Sequence, residues 1–173
     1  MDWSIKVHDI KVVVMDIDGV LTDGRIGYGL GHDQEIKFFD VHDGTGITLA
    51  RRAGLRAGVI SGRSSLANQR RASELKLDFI FEDVHAKADG LLRLCADLDV
   101  TPRQCLYIGD DLIDIPPMRL AGISAAVGDA SAEVINMADW VATRPGGRGA
   151  VREILERLLR LQGHWEQLLK RYV

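Results

Sequence analysis

The chain has 173 residues, of which 46% are hydrophobic and 27% charged, and its formal net charge is −3. That length suits one domain of ~100–200 residues, and the composition excludes a disordered chain. The acidic balance argues against a nucleic-acid binder held by bulk charge, and no apolar run nears the ~18 residues of a membrane span.

Residues 10–16, Ile-Lys-Val-Val-Val-Met-Asp, form a short β-branched run that reads as a buried strand. Gly19, Gly24 and Gly27 mark turns behind it. Residues 25–30 and 33–39 are expected to pair as a hairpin around 29–33. A helix over 46–53 leads to a second buried strand over 56–60. Residues 64–75 read as a helix capped by Ser64 or Ser65, and 79–81 as a third strand. An amphipathic helix over 86–98 precedes a fourth strand over 105–108. Residues 113–121 are helical, with Pro116-Pro117 complicating the start. A fifth strand over 124–127, a short helix over 132–137 and a sixth strand over 140–141 follow.

This alternation predicts an α/β fold: a doubly wound, Rossmann-like parallel sheet with helices on both faces and a hairpin protruding after strand one. Residues 145–149 read as a loop, and 150–161 as a helix whose apolar face carries Val151, Ile154, Leu155, Leu158 and Leu159. Gly163 interrupts it before 165–172. The whole of 1–173 is expected to form one domain, with the hairpin at 25–39 and a loop and helix at 145–173. Cys95 and Cys105 are too few for a disulfide framework and read as core residues. Met1-Asp2-Trp3 opens without a basic segment leading into an apolar one, so the sequence predicts no secretory leader and a cytoplasmic location.

Ligands of open α/β sheets bind at the carboxyl ends of the strands. Strand one ends in Asp16-Ile17-Asp18-Gly19-Val20-Leu21-Thr22 and strand two in Ser61-Gly62-Arg63. Lys87 opens the helix after strand three. Strand four ends in Gly109-Asp110-Asp111, with Asp114 close behind. Carboxylates crowded together repel and raise one another's pKa, and a hard divalent cation such as Mg²⁺ removes that penalty while leaving room for a phosphate oxygen. One carboxylate can attack phosphorus and form an aspartyl-phosphate. A second can protonate the leaving alkoxide and then deprotonate the hydrolytic water. Lys87 and Ser61 are suited to hold phosphoryl oxygens. Taken singly, Ser61 is also a turn residue, Lys87 a solvated helix lysine, and Asp110, Asp111 or Asp114 a helix cap.

Taken together and in this order, these motifs resemble the haloacid dehalogenase superfamily of phosphatases. Residues 18–24, 43–47, 62–65, 109–114 and 146–153 resemble more closely its branch acting on phosphorylated sugar acids. The resemblance implies that Asp16 is the nucleophile and Asp18 the acid/base. It implies Mg²⁺ held by the Asp16 side chain, the Asp18 carbonyl and Asp110, with Asp111 and Asp114 supporting the metal and Lys87. Ser61 stands where relatives usually carry Thr, His42 where a basic residue is common, and 81–84 lacks a Gln-Gly pair. Gly62 and Arg63, and Asp43 and Gly44, are candidate substrate-binding residues. Arg63 is equally suited to pair with a surface carboxylate, and Asp43-Gly44 to form a cap and turn.

The implied substrate is an eight-carbon sugar acid phosphate of lipopolysaccharide synthesis, with a nine-carbon analogue as the alternative. A phospho-accepting signalling domain is the rival from another class. Asp18 argues against it, since it is placed to hydrolyse a phospho-aspartate quickly. Residues 24–61 and 61–87 leave no room for an inserted cap domain. The capless relatives are tetramers whose hairpins meet at the centre and whose neighbouring chains close each site. The same is expected here, with Gly146-Gly147-Arg148 reaching a neighbour's site. No nucleic-acid or membrane partner is expected.

Overall fold

Val12 to Met15 is a run of apolar, mostly β-branched side chains that cannot present a polar face, so it folds into the middle of a sheet. A computed structural model describes residues 3–29, 31 and 35–172. Its strands are β1 (Val12–Met15), β2 (Gly27–Tyr28), β3 (Glu35–Ile36), β4 (Arg56–Ile60), β5 (Phe79–Phe81), β6 (Cys105–Gly109), β7 (Ile123–Ala126) and β8 (Trp140–Val141). Six of them form one sheet in the order β5-β4-β1-β6-β7-β8, every pair parallel. Met15 lies opposite Val59 on one side and Ile108 on the other. The chain winds outward from β1 through β4 and β5, then returns and winds the other way through β6, β7 and β8. The reversal beside β1 opens a crevice at the strands' carboxyl ends. The expected doubly wound parallel sheet is the one observed.

The helices are α1 (Trp3–Asp9), α2 (Val41–Arg52), α3 (Leu66–Leu75), α4 (Lys87–Asp97), α5 (Ile115–Leu120), α6 (Ala132–Met137), α7 (Ala150–Leu161) and α8 (Trp165–Leu169). They flank the sheet: α2 packs on α7, which also meets α1 and α8, while α4 packs on α5. Val151, Ile154, Leu155, Leu158 and Leu159 of α7 are all buried, each worth ~1.5–3 kcal/mol on transfer from water. Cys95 and Cys105 are free and buried, with their sulfurs 3.7 Å apart. Among the described residues, no helix is long and apolar enough to cross a membrane.

Some elements depart from the sequence expectation. α2 starts at Val41 rather than Gly46, because the Asp40 side chain accepts from the His42 amide (2.6 Å) and caps the helix there. Asp43 and Gly44 therefore sit inside a helix, not in a turn. Ser65 is the cap of α3, accepting from Asn68 N. Leu112–Asp114 forms a 3₁₀ turn, and Pro116 and Pro117 fall in the first turn of α5, where no amide donor is needed. β2 and β3 are only two residues each and pair antiparallel, with Gly27 opposite Ile36. The expected hairpin turn includes Leu30, His32 and Asp33, which lie outside the described residues.

Candidate active site

β1 and β6 end side by side, so Asp16 and Asp110 leave the sheet at the same crevice. The Asp16 side chain is almost fully buried. Its Oδ1 accepts from Ile17 N (2.7 Å), and its Oδ2 lies 2.6 Å from Lys87 Nζ. Lys87, at the start of α4, places the same ammonium 2.7 Å from Asp114 Oδ1. Asp114 has no exposed surface, and its other oxygen accepts from the amides of Asp110 (3.1 Å) and Asp111 (3.4 Å). The Tyr107 hydroxyl, from inside β6, donates to Asp114 Oδ1 at 2.9 Å. Asp114 thus orients Lys87 and pins the loop that carries Asp110.

Burial and the charge of Asp114 push the Asp16 carboxyl up to about 6 against the opposing pull of Lys87. Asp110 is pushed up to about 8 by burial, then by Asp114 and Asp16. Burial opposes the Lys87 ammonium, but Asp16 and Asp114 together outweigh it, so Lys87 stands above the ordinary lysine value. Burial beside Asp114 raises Tyr107 well above the ordinary tyrosine value, which keeps it a donor. Three carboxyls face one ammonium. Asp16, Asp110 and Asp114 offer oxygens within 4.8 Å of one another, and Asp110 Oδ1 is buried without a hydrogen bond. An excess of hard oxygen donors with an orphaned carboxylate oxygen fits a divalent cation such as Mg²⁺.

Gly19 makes this packing possible. Its φ is +91°, and a Cβ there would stand 2.1 Å from Asp110 Oδ2. Thr22 Oγ1 knits the same loop by accepting from Gly19 N and Gly24 N. Ser61, at the end of β4, is buried, and its hydroxyl accepts from Arg63 N at 3.2 Å. A side chain at Gly62 would meet only Val84 O, at 3.8 Å, so this position is open. Asp111 is exposed and caps the 3₁₀ turn by accepting from Leu112 N.

Asp18 is only partly buried and belongs to a second cluster. Its Oδ1 lies 2.7 Å from Lys37 Nζ, and its Oδ2 3.7 Å from Arg63 Nε. Glu35 pairs with Arg63 and lies 3.6 Å from Lys37. Arg63 therefore has carboxylate partners within the chain.

Asp43 and Gly44 have structural occupations. Asp43 Oδ1 accepts from Arg152 N (2.7 Å) and Oδ2 from Gly149 N (3.2 Å), so Asp43 caps the start of α7. Gly44 leaves room for Arg71 of α3, whose Nη2 would lie 2.6 Å from a Cβ. Gly146 and Gly147 pack within the chain rather than projecting from it. A Cβ on Gly146 would stand 1.7 Å from Gly19 O, and Gly147 N donates to Val20 O. Arg148 is exposed, 3.6 Å from Asp23. His42 is exposed beside Asp40 and lines a cleft with Asp23, Arg25, Phe38 and Arg148.

Sequence reasoning missed Tyr107, Lys37 and Glu35. Tyr107 left no signal, being one more large residue in a buried strand. Glu35 and Lys37 left only an alternation of charged and apolar residues, which does not say which face turns inward. In Glu35-Ile36-Lys37-Phe38 the charged side chains turn inward, while Ile36 (48%) and Phe38 (71%) are exposed.

This is the arrangement of a phosphoryl-transfer site, and the chain belongs to the haloacid dehalogenase-like hydrolases, whose family model matches residues 60–154. It is a phosphoric monoester hydrolase. It is 37% identical to 3-deoxy-D-manno-octulosonate 8-phosphate phosphatase of Escherichia coli K12 over 166 residues, 96% of this chain and 88% of that one. The phosphatase of the same name from Haemophilus influenzae is 39% identical over 158 residues, 91% of this chain and 87% of that one. The crystal structure of the Moraxella catarrhalis phosphatase, in complex with magnesium ion, phosphate ion and a KDO molecule, superposes with a TM-score of 0.94. It is 35% identical, with 98% of this chain and 97% of that one covered.

Proposed function

We propose that this chain is an Mg²⁺-dependent phosphatase of 3-deoxy-D-manno-octulosonate 8-phosphate, acting through an aspartyl-phosphate in lipopolysaccharide synthesis. The observation that carries this reading is Asp16, buried and oriented by Lys87, beside Asp110 with an oxygen left unpartnered. The relatives named above carry it to the substrate. Asp16, Asp110 and, by resemblance, the Asp18 carbonyl would hold the cation. When bound, it supplies charge stabilisation for the phosphoryl oxygens.

Asp16 attacks phosphorus in line with the sugar oxygen. The new bond is P–O(Asp16), and the P–O(sugar) bond breaks. Asp18 delivers its proton to the departing oxygen. Water then attacks the aspartyl-phosphate, giving a proton to Asp18, and inorganic phosphate leaves with Asp16 restored. Lys87 offsets charge on Asp16 before attack and on the phosphoryl oxygens afterwards. The Ser61 hydroxyl and the open backbone at Gly62 complete the phosphoryl cradle. Asp114 acts through Lys87 and the loop at Asp110. Asp111 caps that loop. Asp43 and Gly44 serve the packing of α2 against α7 and α3.

The chain is read as one domain working in the cytoplasm without a cap of its own. A homotetramer built through the β2–β3 hairpins supplies the cover. The exposure of Tyr28 (80%), Phe38 (71%) and Val41 (75%) on and beside that hairpin supports this reading.

The test is phosphate release from a panel with Mg²⁺ and with chelator: the eight-carbon and nine-carbon keto acid phosphates and simple hexose phosphates. Preference for the eight-carbon acid, lost with chelator, is expected. An even spread removes the substrate assignment, and a stable phosphoenzyme without turnover turns the reading toward a signalling domain.

A further inference from the structure

Lys37 is a buried lysine with no part in the chemistry so far. Its side chain has no exposed surface, although its neighbours Ile36 and Phe38 are exposed. A buried ammonium is costly unless anions meet it. Two do: Asp18 Oδ1 at 2.7 Å and Glu35 Oε2 at 3.6 Å. Glu35 is itself paired with Arg63, whose Nε lies 3.7 Å from Asp18 Oδ2. Lys37, Glu35, Arg63 and Asp18 form a closed ring of two cations and two anions.

The ring treats the two oxygens of Asp18 differently. Oδ1 holds a short hydrogen bond to Lys37. Oδ2 is buried and has no hydrogen bond. A carboxylate that must hand a proton to one atom and take one from another needs to be held from rotating. Lys37 has no exposed surface left with which to touch a substrate. The geometry points to Lys37 as a positioning residue that locks Asp18 through Oδ1. Glu35 holds Lys37 in place, so the hairpin is part of the proton-transfer apparatus as well as a cover. This inference rests on Asp18 being the acid/base of the proposed reaction.

The experiment compares the full-length wild type with Lys37→Met, Asp18→Asn and the double variant, at saturating Mg²⁺ on the best substrate of the panel. Thermal unfolding confirms that each is folded. Lys37→Met keeps the length and apolar bulk of the side chain and should lower kcat ~10–100-fold while KM moves less than ~3-fold, a part of the usual general acid–base factor. In the Asp18→Asn background the same change should alter kcat less than ~2-fold, because Lys37 then has nothing left to position. If Lys37→Met fails to fold, Lys37→Gln, a shorter side chain with a neutral amide in place of the ammonium, is read by the same double-variant comparison. Losses that multiply between Lys37 and Asp18, a wild-type kcat in Lys37→Met, or a rise in KM alone would each overturn the assignment while Asp18→Asn stays impaired. Wild-type turnover by Asp18→Asn would instead remove the acid/base reading beneath it.

Discussion

Replacing Asp43 by Asn separates a structural carboxylate from a substrate-binding one. Asp43 is 1% exposed, and its two oxygens accept from Gly149 N, at the cap of α7, and Arg152 N, in its first turn. Asn keeps one carbonyl oxygen and turns an NH₂ group toward the other amide. One charge-assisted hydrogen bond is lost, worth ~1.5–3 kcal/mol, and a buried amide is left facing a donor. Relief of the buried charge offsets part of this, since burial already pushes the Asp43 carboxyl up. A net loss of about 2–3 kcal/mol, at ~2–4 °C per kcal/mol for a chain of this size, lowers Tm by ~4–12 °C. Calorimetric unfolding at pH 7.5 measures that shift, and steady-state kinetics at 25 °C should show KM unchanged within ~2-fold. A tenfold rise in KM with an unchanged Tm would refute the capping argument and make Asp43 a substrate ligand.

Asp16→Asn should abolish turnover in a protein that still unfolds cooperatively, and a wild-type kcat would refute the nucleophile assignment. Gly19→Ala introduces a Cβ 2.1 Å from Asp110 Oδ2 at φ +91°, so the half-saturating Mg²⁺ concentration should rise ~10–100-fold in an activity titration. The third expectation concerns pH. Asp110, raised to about 8, and Asp16, raised to about 6, hold protons in the metal-free fold at pH values where the unfolded chain has lost them. Their contribution to stability is full below about pH 4 and is lost as pH rises through 6 and then 8. Mg²⁺ displaces those protons, so the gain in Tm on adding Mg²⁺ should grow from pH 6 to pH 8.5 in thermal unfolding scans. A gain that shrinks over that range would refute the cation site.

The sheet was legible because β1 and β6 are buried on both faces and spell it in uninterrupted apolar runs. The residues at their carboxyl ends were legible for the same reason: the fold leaves a charged group there only one crevice. The start of α2 was not, because Asp40 looks like any loop aspartate until its side chain is seen on the His42 amide. The partners of Asp43 were not legible because a carboxylate in a motif and a carboxylate under a helix distant in sequence look alike. Lys37 was missed because period-two alternation assigns charge to solvent, and here the hairpin turns its charged face to Asp18.

The contact of residues 145–149 with 19–23 has a consequence for how the molecule is made. Gly146 stands against Gly19 O, and Gly147 donates to Val20 O, with no space for a side chain at either position. The turn that follows the nucleophile therefore gains its final wall from a segment synthesised long after it. Synthesis adds ~5–20 residues per second, and a domain folds as a unit. That wall can be completed only once residues 146 and 147 have been made, so a nascent chain acquires Asp16 and Asp18 early and its competence for catalysis late.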